Sequence, residues 1–153
     1  MTARTRQILV KEVVSLFDLK PGVVEVDEGD GSIRTAINRY PKDELNSAIG
    51  YTTQMLELIV GYLGIKLPFT IFRKDLRLYI RSIPHSRLYQ SQSKMPLFLD
   101  DDKNFRKFLI GISMLNYDIA YLCYTQGVDI PLSQVANALQ NILACCNSPQ
   151  LGL

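Results

Sequence analysis

Residues 45–69, LNSAIGYTTQMLELIVGYLGIKLPF, contain the pattern around which the rest of the fold is predicted to form. Their apolar side chains recur at steps of three and four, which places them on one stripe of an α-helix. Asp43 and Glu44 suit the positive end of the helix dipole, and Gly64 and Pro68 favour its termination. We therefore expect a central helix of about five turns that leads directly into a strand. The stripe consists of Leu45, Ala48, Ile49, Thr52, Met55, Leu56, Ile59, Val60 and Leu63.

Length and composition limit the class of protein. The chain has 153 residues, 47% of them hydrophobic, and a formal net charge of +2, which fits one globular domain with an optional helical lead-in. No N-terminal apolar segment is typical of a signal peptide, and the apolar run at 58–65 is too short to span a bilayer. Three cysteines, two of them adjacent, fit neither a disulfide framework nor a zinc site. We expect a cytoplasmic chain in which Cys123 is a buried thiol.

An N-terminal helix is predicted over residues 2–19. Leu9, Val13 and Leu16 form a stripe that resembles the last heptads of a coiled coil, and they are the candidate partner-binding residues. The pattern fits equally an ordinary helix packed on its own domain, and the sequence does not choose between the two. We predict an N-terminal helix at 1–20 and a globular domain at 21–153.

Short strands are predicted between the long helices. Residues 22–37 form a hairpin pattern, and strands are expected at 67–72, 76–83 and 96–99. In the strand at 76–83, Leu76, Leu78 and Ile80 should face the core, and Arg77, Tyr79 and Arg81 should face solvent.

Two further helices complete the predicted order. The first carries the buried stripe from Phe105 to Cys123, with Asp100, Asp101 and Asp102 as expected N-terminal caps. The second carries the stripe from Val135 to Cys146. The predicted fold class is therefore α+β, a β–α repeated domain of short strand pairs alternating with long amphipathic helices and preceded by an N-terminal helix.

Positive charge is concentrated in the middle of the chain. Residues 66–94 contain seven Lys or Arg residues and a single acid, Asp75. Such a strip indicates an anionic partner, a pairing with the acids of residues 27–30 or of a partner subunit, or a solvated face, and the sequence leaves these open. The candidate anionic-surface residues are Arg73, Lys74, Arg77, Arg81, Arg87 and Lys94.

Catalytic and metal-binding patterns are missing from the sequence. The single histidine, His85, follows Pro84 in a polar loop, and no serine lies in a GxSxG elbow. No Walker, Rossmann or Cys/His signature occurs. We therefore predict no catalytic, metal or cofactor-binding residues and no enzyme activity.

Three blocks of the sequence resemble a known family. They are AIGYTTQMLELIVGYLGIKLPF at 48–69, PLFL at 96–99 and FLIGISMLNYDIAYLCYTQGVD at 108–129. Together they resemble the C-terminal half of the UV radiation resistance-associated protein and autophagy-related subunit fourteen family. The resemblance covers residues 4–146, with Tyr117 where the family has lysine. The coiled coil that precedes this region in the family is not in the sequence, which suggests a fragment or a short form.

The resemblance implies an accessory subunit of a class III phosphatidylinositol 3-kinase complex. Such a subunit pairs with a Beclin-type coiled-coil subunit, directs the kinase to autophagosomal or endosomal membranes as a peripheral protein, and transfers no phosphate itself. The alternative is a stand-alone module that binds anionic lipid or nucleic acid through the 73–94 strip. Nucleic acid is not expected, because Tyr79 and Tyr89 alone make a poor stacking platform.

Overall fold

The computed structural model describes residues 2–16, 42–82, 94–100 and 103–153, with only the backbone described for 11–16. The helices are α1 (Ala3–Leu16), α2 (Lys42–Leu63), α3 (Phe105–Thr125) and α4 (Ala138–Cys146), and the strands are β1 (Phe69–Lys74), β2 (Arg77–Ser82) and β3 (Lys94–Pro96). A short 3-10 turn, Leu132–Gln134, precedes α4. Helices with a small antiparallel sheet confirm the predicted α+β class and the N-terminal helix. The hairpin predicted at 22–37, the boundary at residue 20 and Arg87 lie outside the described residues.

Helix α2 is the central helix that the sequence predicts. Asp43 and Glu44 lie in its first turn, where carboxylates interact favourably with the helix dipole. At its end Gly64 has a φ of 70°, and the Ile65 amide donates to the Val60 carbonyl at 3.0 Å. This is the glycine-terminated end that satisfies free carbonyls of the last turn. The buried residues of α2 are Ile49, Thr52, Thr53, Met55, Leu56, Ile59 and Leu63.

The sheet has the strand order β1-β2-β3 with antiparallel neighbours. Ile80 lies opposite Ile71 on one side and opposite Met95 on the other. Since opposed residues share a face, these three form the inner face of the sheet, and Ile80 is fully buried. Helix α3 packs closely against β3 at Gly111. A Cβ built on this glycine would lie 2.5 Å from the Pro96 carbonyl oxygen, which is too close for a side chain.

One hydrophobic core joins all the elements. Leu56 of α2, Phe108 and Ile119 of α3 and Ile142 of α4 are fully buried in it. Helix α1 contributes Val10, which is also fully buried. The Gln7 side chain fixes α1 to the C-terminal segment by donating to the Leu151 carbonyl at 2.8 Å.

The prediction for Leu76 is wrong, since its side chain is 102% exposed rather than part of the inner face. Strand β2 begins one residue later, at Arg77. Asp75 and Leu76 form a two-residue turn with φ values of 53° and 64°. A tight hairpin of this kind needs positive φ at both central residues, which removes Leu76 from the alternation of the strand.

The boundaries of β3 and of α3 also differ from the prediction. Strand β3 occupies Lys94–Pro96 rather than 96–99, although the Leu97 amide still donates to the Leu78 carbonyl at 2.9 Å. Helix α3 begins at Phe105 after Asn104 and has no acid in its first turn. The capping role expected of Asp100 is therefore wrong, and Asp101 and Asp102 lie outside the described residues.

The last helix also begins later than its apolar stripe predicts. Helix α4 starts at Ala138, three residues after Val135, which follows the short 3-10 turn.

Candidate anion-binding surface on the outer face of the sheet

The outer face of the sheet gathers four of the six predicted basic residues. Lys74 lies opposite Arg77, and Arg81 lies opposite Lys94 across the β2–β3 pair. All four lie on the same face of the sheet as Tyr79, because successive residues of a strand point to opposite faces. They therefore point away from Ile80 and the core. We refer to Lys74, Arg77, Arg81 and Lys94 as the outer-face cations.

Three aromatic rings lie beneath these cations. Phe72 stacks on Tyr79 with ring centroids 5.7 Å apart, and Tyr79 meets the Phe98 ring edge-to-face at 5.5 Å. The three cation–ring distances are 4.9 Å for Arg77 over Phe98, 4.6 Å for Arg81 over Phe72 and 4.7 Å for Lys94 over Tyr79.

A ring orients a cation without neutralising it. The contacts with Phe72 and Tyr79 therefore restrict the positions of Arg81 and Lys94 and bring no opposite charge to them. The outer face thus presents fixed positive charge, an arrangement suited to anions spread over a surface.

Acidic side chains oppose two of the basic residues. Arg77 contacts the Asp100 carboxylate at 3.3 Å, and both side chains are more than half exposed. Arg73 lies on the other face of the sheet and contacts Glu57 of α2 at 3.5 Å. Exposed pairs of this kind are weak, so an anionic ligand can compete for Arg77. Arg73 belongs to the side of the sheet that faces α2, and the outer face does not include it.

Sequence reasoning placed Tyr79 on this surface but missed the Phe72 and Phe98 rings. Phe72 has the same strand parity as Lys74, so period-two alternation within β1 is a signal that could have found it. Phe98 follows the end of β3 and carries no such signal. Tyr89, which the sequence analysis considered together with Tyr79, lies outside the described residues.

An open cleft of about 400 Å³ lies beside the β1–β2 turn. Arg73 and Arg77 line it together with the apolar side chains of Leu78 and Leu97. Asn46 closes one side by accepting from the Leu99 amide at 2.8 Å and donating to the Leu99 carbonyl at 2.9 Å. The cleft has a polar, cationic rim, and no described residue that lines it is a nucleophile with a neighbouring base.

Of the candidate partner-binding residues of α1, the side chain of Leu9 is described. Leu9 is half-buried next to the fully buried Val10, and Ile8 is 49% exposed. Val13 and Leu16 belong to the helical backbone of α1, and their side chains lie outside the description. The packing of α1 on its own domain through Val10 leaves Leu9 partly accessible.

The three cysteines are buried free thiols, as predicted for Cys123. The Cys123 thiol donates to the Asn141 carbonyl at 3.2 Å. Burial raises the pKa of Cys146 to about 12, and the neighbouring Cys123 thiol together with burial also raises the pKa of Cys145. These two thiols stay protonated at neutral pH and are poor nucleophiles.

The described residues form neither a metal-binding cluster nor a membrane-spanning helix. Within the described ranges, no three His, Cys, Asp or Glu side chains come together as a metal site. No helix in those ranges is long and apolar enough to cross a membrane.

The family model for Vacuolar sorting 38 and autophagy-related subunit 14 matches residues 1–149. The chain belongs to this family. The match confirms the resemblance carried by the three sequence blocks, and it includes α1, the sheet and the outer-face cations.

Two curated relatives show the same kinship at modest identity. Autophagy-related protein 14 of Gibberella zeae is 27% identical over an alignment 191 positions long, gaps included, which covers 92% of this chain and 42% of that protein. UV radiation resistance-associated protein of Mus musculus is 29% identical over 97 residues, which cover 63% of this chain and 14% of that protein. The chain therefore spans less than half the length of either relative. No solved structure matches the chain significantly.

Proposed function

We propose that the chain is a non-catalytic accessory subunit of a class III phosphatidylinositol 3-kinase complex. It pairs with a Beclin-type coiled-coil subunit and directs the kinase to autophagosomal or endosomal membranes, where it acts as a peripheral cytoplasmic protein. The observation that carries the proposal is the family match over residues 1–149. The names of the two relatives, one an autophagy-related protein, agree with this role.

Pairing is assigned to α1. Leu9, Val13 and Leu16 recur at four- and three-residue steps, the spacing of a coiled-coil seam. Val10 is fully buried against the domain, so α1 has a side already occupied, with the half-buried Leu9 next to it. A partner helix lying along the Leu9 side extends the apolar contact without displacing Val10.

Membrane recruitment is assigned to the outer-face cations. A basic residue near an anionic bilayer contributes about 1 kcal/mol, so four of them hold a domain weakly and reversibly. The cation–ring contacts favour this role because they keep Arg77, Arg81 and Lys94 on one face of the sheet. An attraction of this strength suits a subunit that directs a complex rather than one that anchors it permanently.

The decisive experiment identifies the proteins that co-purify with the chain from its own cells. Recovery of a coiled-coil partner together with a lipid kinase is the expected result. The purified chain alone should neither hydrolyse ATP nor phosphorylate phosphatidylinositol, and the kinase activity should reside in the recovered complex. Turnover by the isolated chain that disappears with His85→Ala would overturn the non-catalytic role.

A stand-alone nucleic-acid module is the second candidate. The observation that favours it is the cluster of Phe72, Tyr79 and Phe98, because single-stranded nucleic acids stack on exposed aromatic rings. However, Arg81 and Lys94 already lie over the Phe72 and Tyr79 rings. Binding to single-stranded RNA measured beside binding to anionic vesicles distinguishes the two, and the accessory role requires preference for the vesicles.

A further inference from the structure

The tip of the β1–β2 hairpin carries a leucine in an unusual backbone conformation. Leu76 has a φ of 64°, and its side chain is 102% exposed. Two-residue hairpin turns with positive φ favour Asn-Gly or Asp-Gly, and a bulky residue in this region is strained. Asp75 fits the first position of the turn, whereas Leu76 occupies the position where glycine is preferred. Folding stability alone therefore does not account for a leucine here.

The flanks of the tip are charged. Lys74 and Arg77 lie opposite each other on the two sides of the turn, and both are exposed. Asp75 is the one acid within the turn itself, and Arg77 also contacts Asp100 at 3.3 Å. An exposed apolar residue is thus flanked by two cations that belong to the outer face.

A second exposed leucine provides a contrast. Leu132 is 94% exposed and lies in the short 3-10 turn before α4. No Lys or Arg occurs within six residues of it in the sequence. Leu132 therefore has the exposure of Leu76 without the cations or the hairpin, and it serves as a matched control.

We propose that Leu76 inserts into the interface of an anionic bilayer while Lys74 and Arg77 remain at the level of the lipid phosphates. The inference rests on the membrane role proposed above and names the residue that enters the lipid. A cluster of basic residues alone binds membranes reversibly, and stable attachment needs a second, apolar contribution. Leu76 supplies that contribution at a point where the cations are already next to the membrane.

The shape of the tip favours a bilayer over a protein as the occupant. A stable protein interface needs about 800 Å² from each partner with a continuous apolar centre. Leu76 lies at the rim of the cleft beside the β1–β2 turn, and the exposed charges of Lys74, Asp75 and Arg77 flank it. A single apolar tip flanked by charges offers a protein no continuous apolar centre, whereas a fluid lipid interface requires no shaped surface.

Fluorescence provides a direct test because the chain contains no tryptophan. In Leu76→Trp the indole is the unique tryptophan, and it reports its own environment. With vesicles of phosphatidylserine and phosphatidylcholine, we expect its emission to shift to the blue and to be quenched by lipids brominated on their acyl chains. Leu132→Trp is the control and should remain in water under the same conditions.

Vesicle flotation tests the energetic contribution. Leu76→Gly relieves the positive-φ strain, so its thermal stability should equal or exceed that of the natural chain. Its partitioning to anionic vesicles should nevertheless fall by about tenfold, as expected for removing one inserted leucine. Leu132→Gly should float like the natural chain. Asp75→Asn should bind more tightly, because it removes the acid from the tip and asparagine tolerates positive φ.

The outcomes separate the insertion from the membrane role. If Leu76→Trp is not quenched while exchange of the four outer-face cations for glutamine abolishes flotation, the membrane role stands and the insertion is wrong. If the natural chain does not float at any fraction of anionic lipid, both are wrong. If Leu76→Gly floats as well as the natural chain, Leu76 has no part in attachment and the insertion is overturned.

Discussion

At the scale of single residues, the buried carboxyl of Asp118 has the clearest energetic consequence. The Asp118 side chain is fully buried in α3, and its Oδ1 accepts from the Phe69 amide at 2.9 Å. Its Oδ2 has no hydrogen-bond partner among the described residues. Burial raises the pKa of Asp118 to about 7, although the Phe69 hydrogen bond opposes the shift. The carboxyl connects α3 to the first residue of β1, and the fold favours its protonated form.

Asp118→Asn should therefore remove a pH dependence of stability. In the natural chain the unfolded carboxyl, with a pKa of 3.8, releases its proton before the folded one does. The stabilisation is fully present below that value and is lost as the pH rises to about 7, by about 1.4 kcal/mol per pH unit. Urea denaturation across this range should show a flatter profile for Asp118→Asn. Parallel profiles for the two proteins would mean that Asp118 titrates normally in the fold.

Gly111 and Gly61 form a matched pair for testing the contact between α3 and β3. A Cβ on Gly111 would lie 2.5 Å from the Pro96 carbonyl oxygen, a backbone atom, whereas a Cβ on Gly61 meets nothing within 4 Å. Gly111→Ala should lower the free energy of unfolding by about 1–3 kcal/mol, despite the higher helix propensity of alanine. Gly61→Ala should raise it by up to about 1 kcal/mol. Equal effects in chemical denaturation would contradict the close approach of α3 to the sheet.

At the scale of elements, α1 must both pack on its domain and bind a partner. Leu9→Asp is expected to abolish co-purification of the coiled-coil subunit while the melting temperature falls little, because Leu9 is only half-buried. Ile8→Asp, at a more exposed neighbouring position, is the charge-matched control and should retain the partner. Val10→Asp should unfold the domain, since a carboxylate at that fully buried position would be removed from water. If Leu9→Asp unfolds the domain as Val10→Asp does, α1 belongs wholly to the core.

The sheet shows which features of an element can be predicted from the sequence and which cannot. Period-two alternation correctly opposed Leu78 and Ile80 to Arg77 and Arg81, because alternation is a local property of a strand. The position of the turn was not predicted, because the positive φ at Leu76 contradicts the usual preference for glycine at this position of a two-residue turn. The contacts between rings and cations depend on cross-strand register and on Phe98, which follows the sheet, so these contacts emerge only from the folded chain.

At the scale of the whole molecule, the order of helices and strands could be predicted because each apolar stripe is local. The pairing of charges on the surface could not be predicted from the sequence. Glu57 and Arg73 are 16 residues apart in sequence, and Arg77 and Asp100 are 23 residues apart. Only tertiary packing decides which cations meet an acid. Strand alternation places Arg73 on the other face of the sheet, where it contacts Glu57, whereas Arg77 remains among the outer-face cations although it contacts Asp100.

Binding to anionic vesicles should depend on where those cations lie rather than on net charge. A variant with Lys74, Arg77, Arg81 and Lys94 changed to glutamine loses four positive charges from one face of the sheet. A control variant loses the same number from other exposed positions, Arg4, Lys66, Arg106 and Lys107. Flotation of the natural chain should increase with the fraction of anionic lipid and decrease with salt, since exposed charges are screened within about 10 Å at 0.1 M.

Each outer-face cation contributes about 1 kcal/mol, so the outer-face variant should lose nearly all binding at low salt. The control variant should keep most of it, because its four lost charges are distributed over α1, the segment between α2 and β1, and the start of α3. Equal losses in the two variants would mean that net charge alone attracts the chain to the membrane. The aromatic-backed face would then have no special role, and its cations would serve a protein partner or remain solvated.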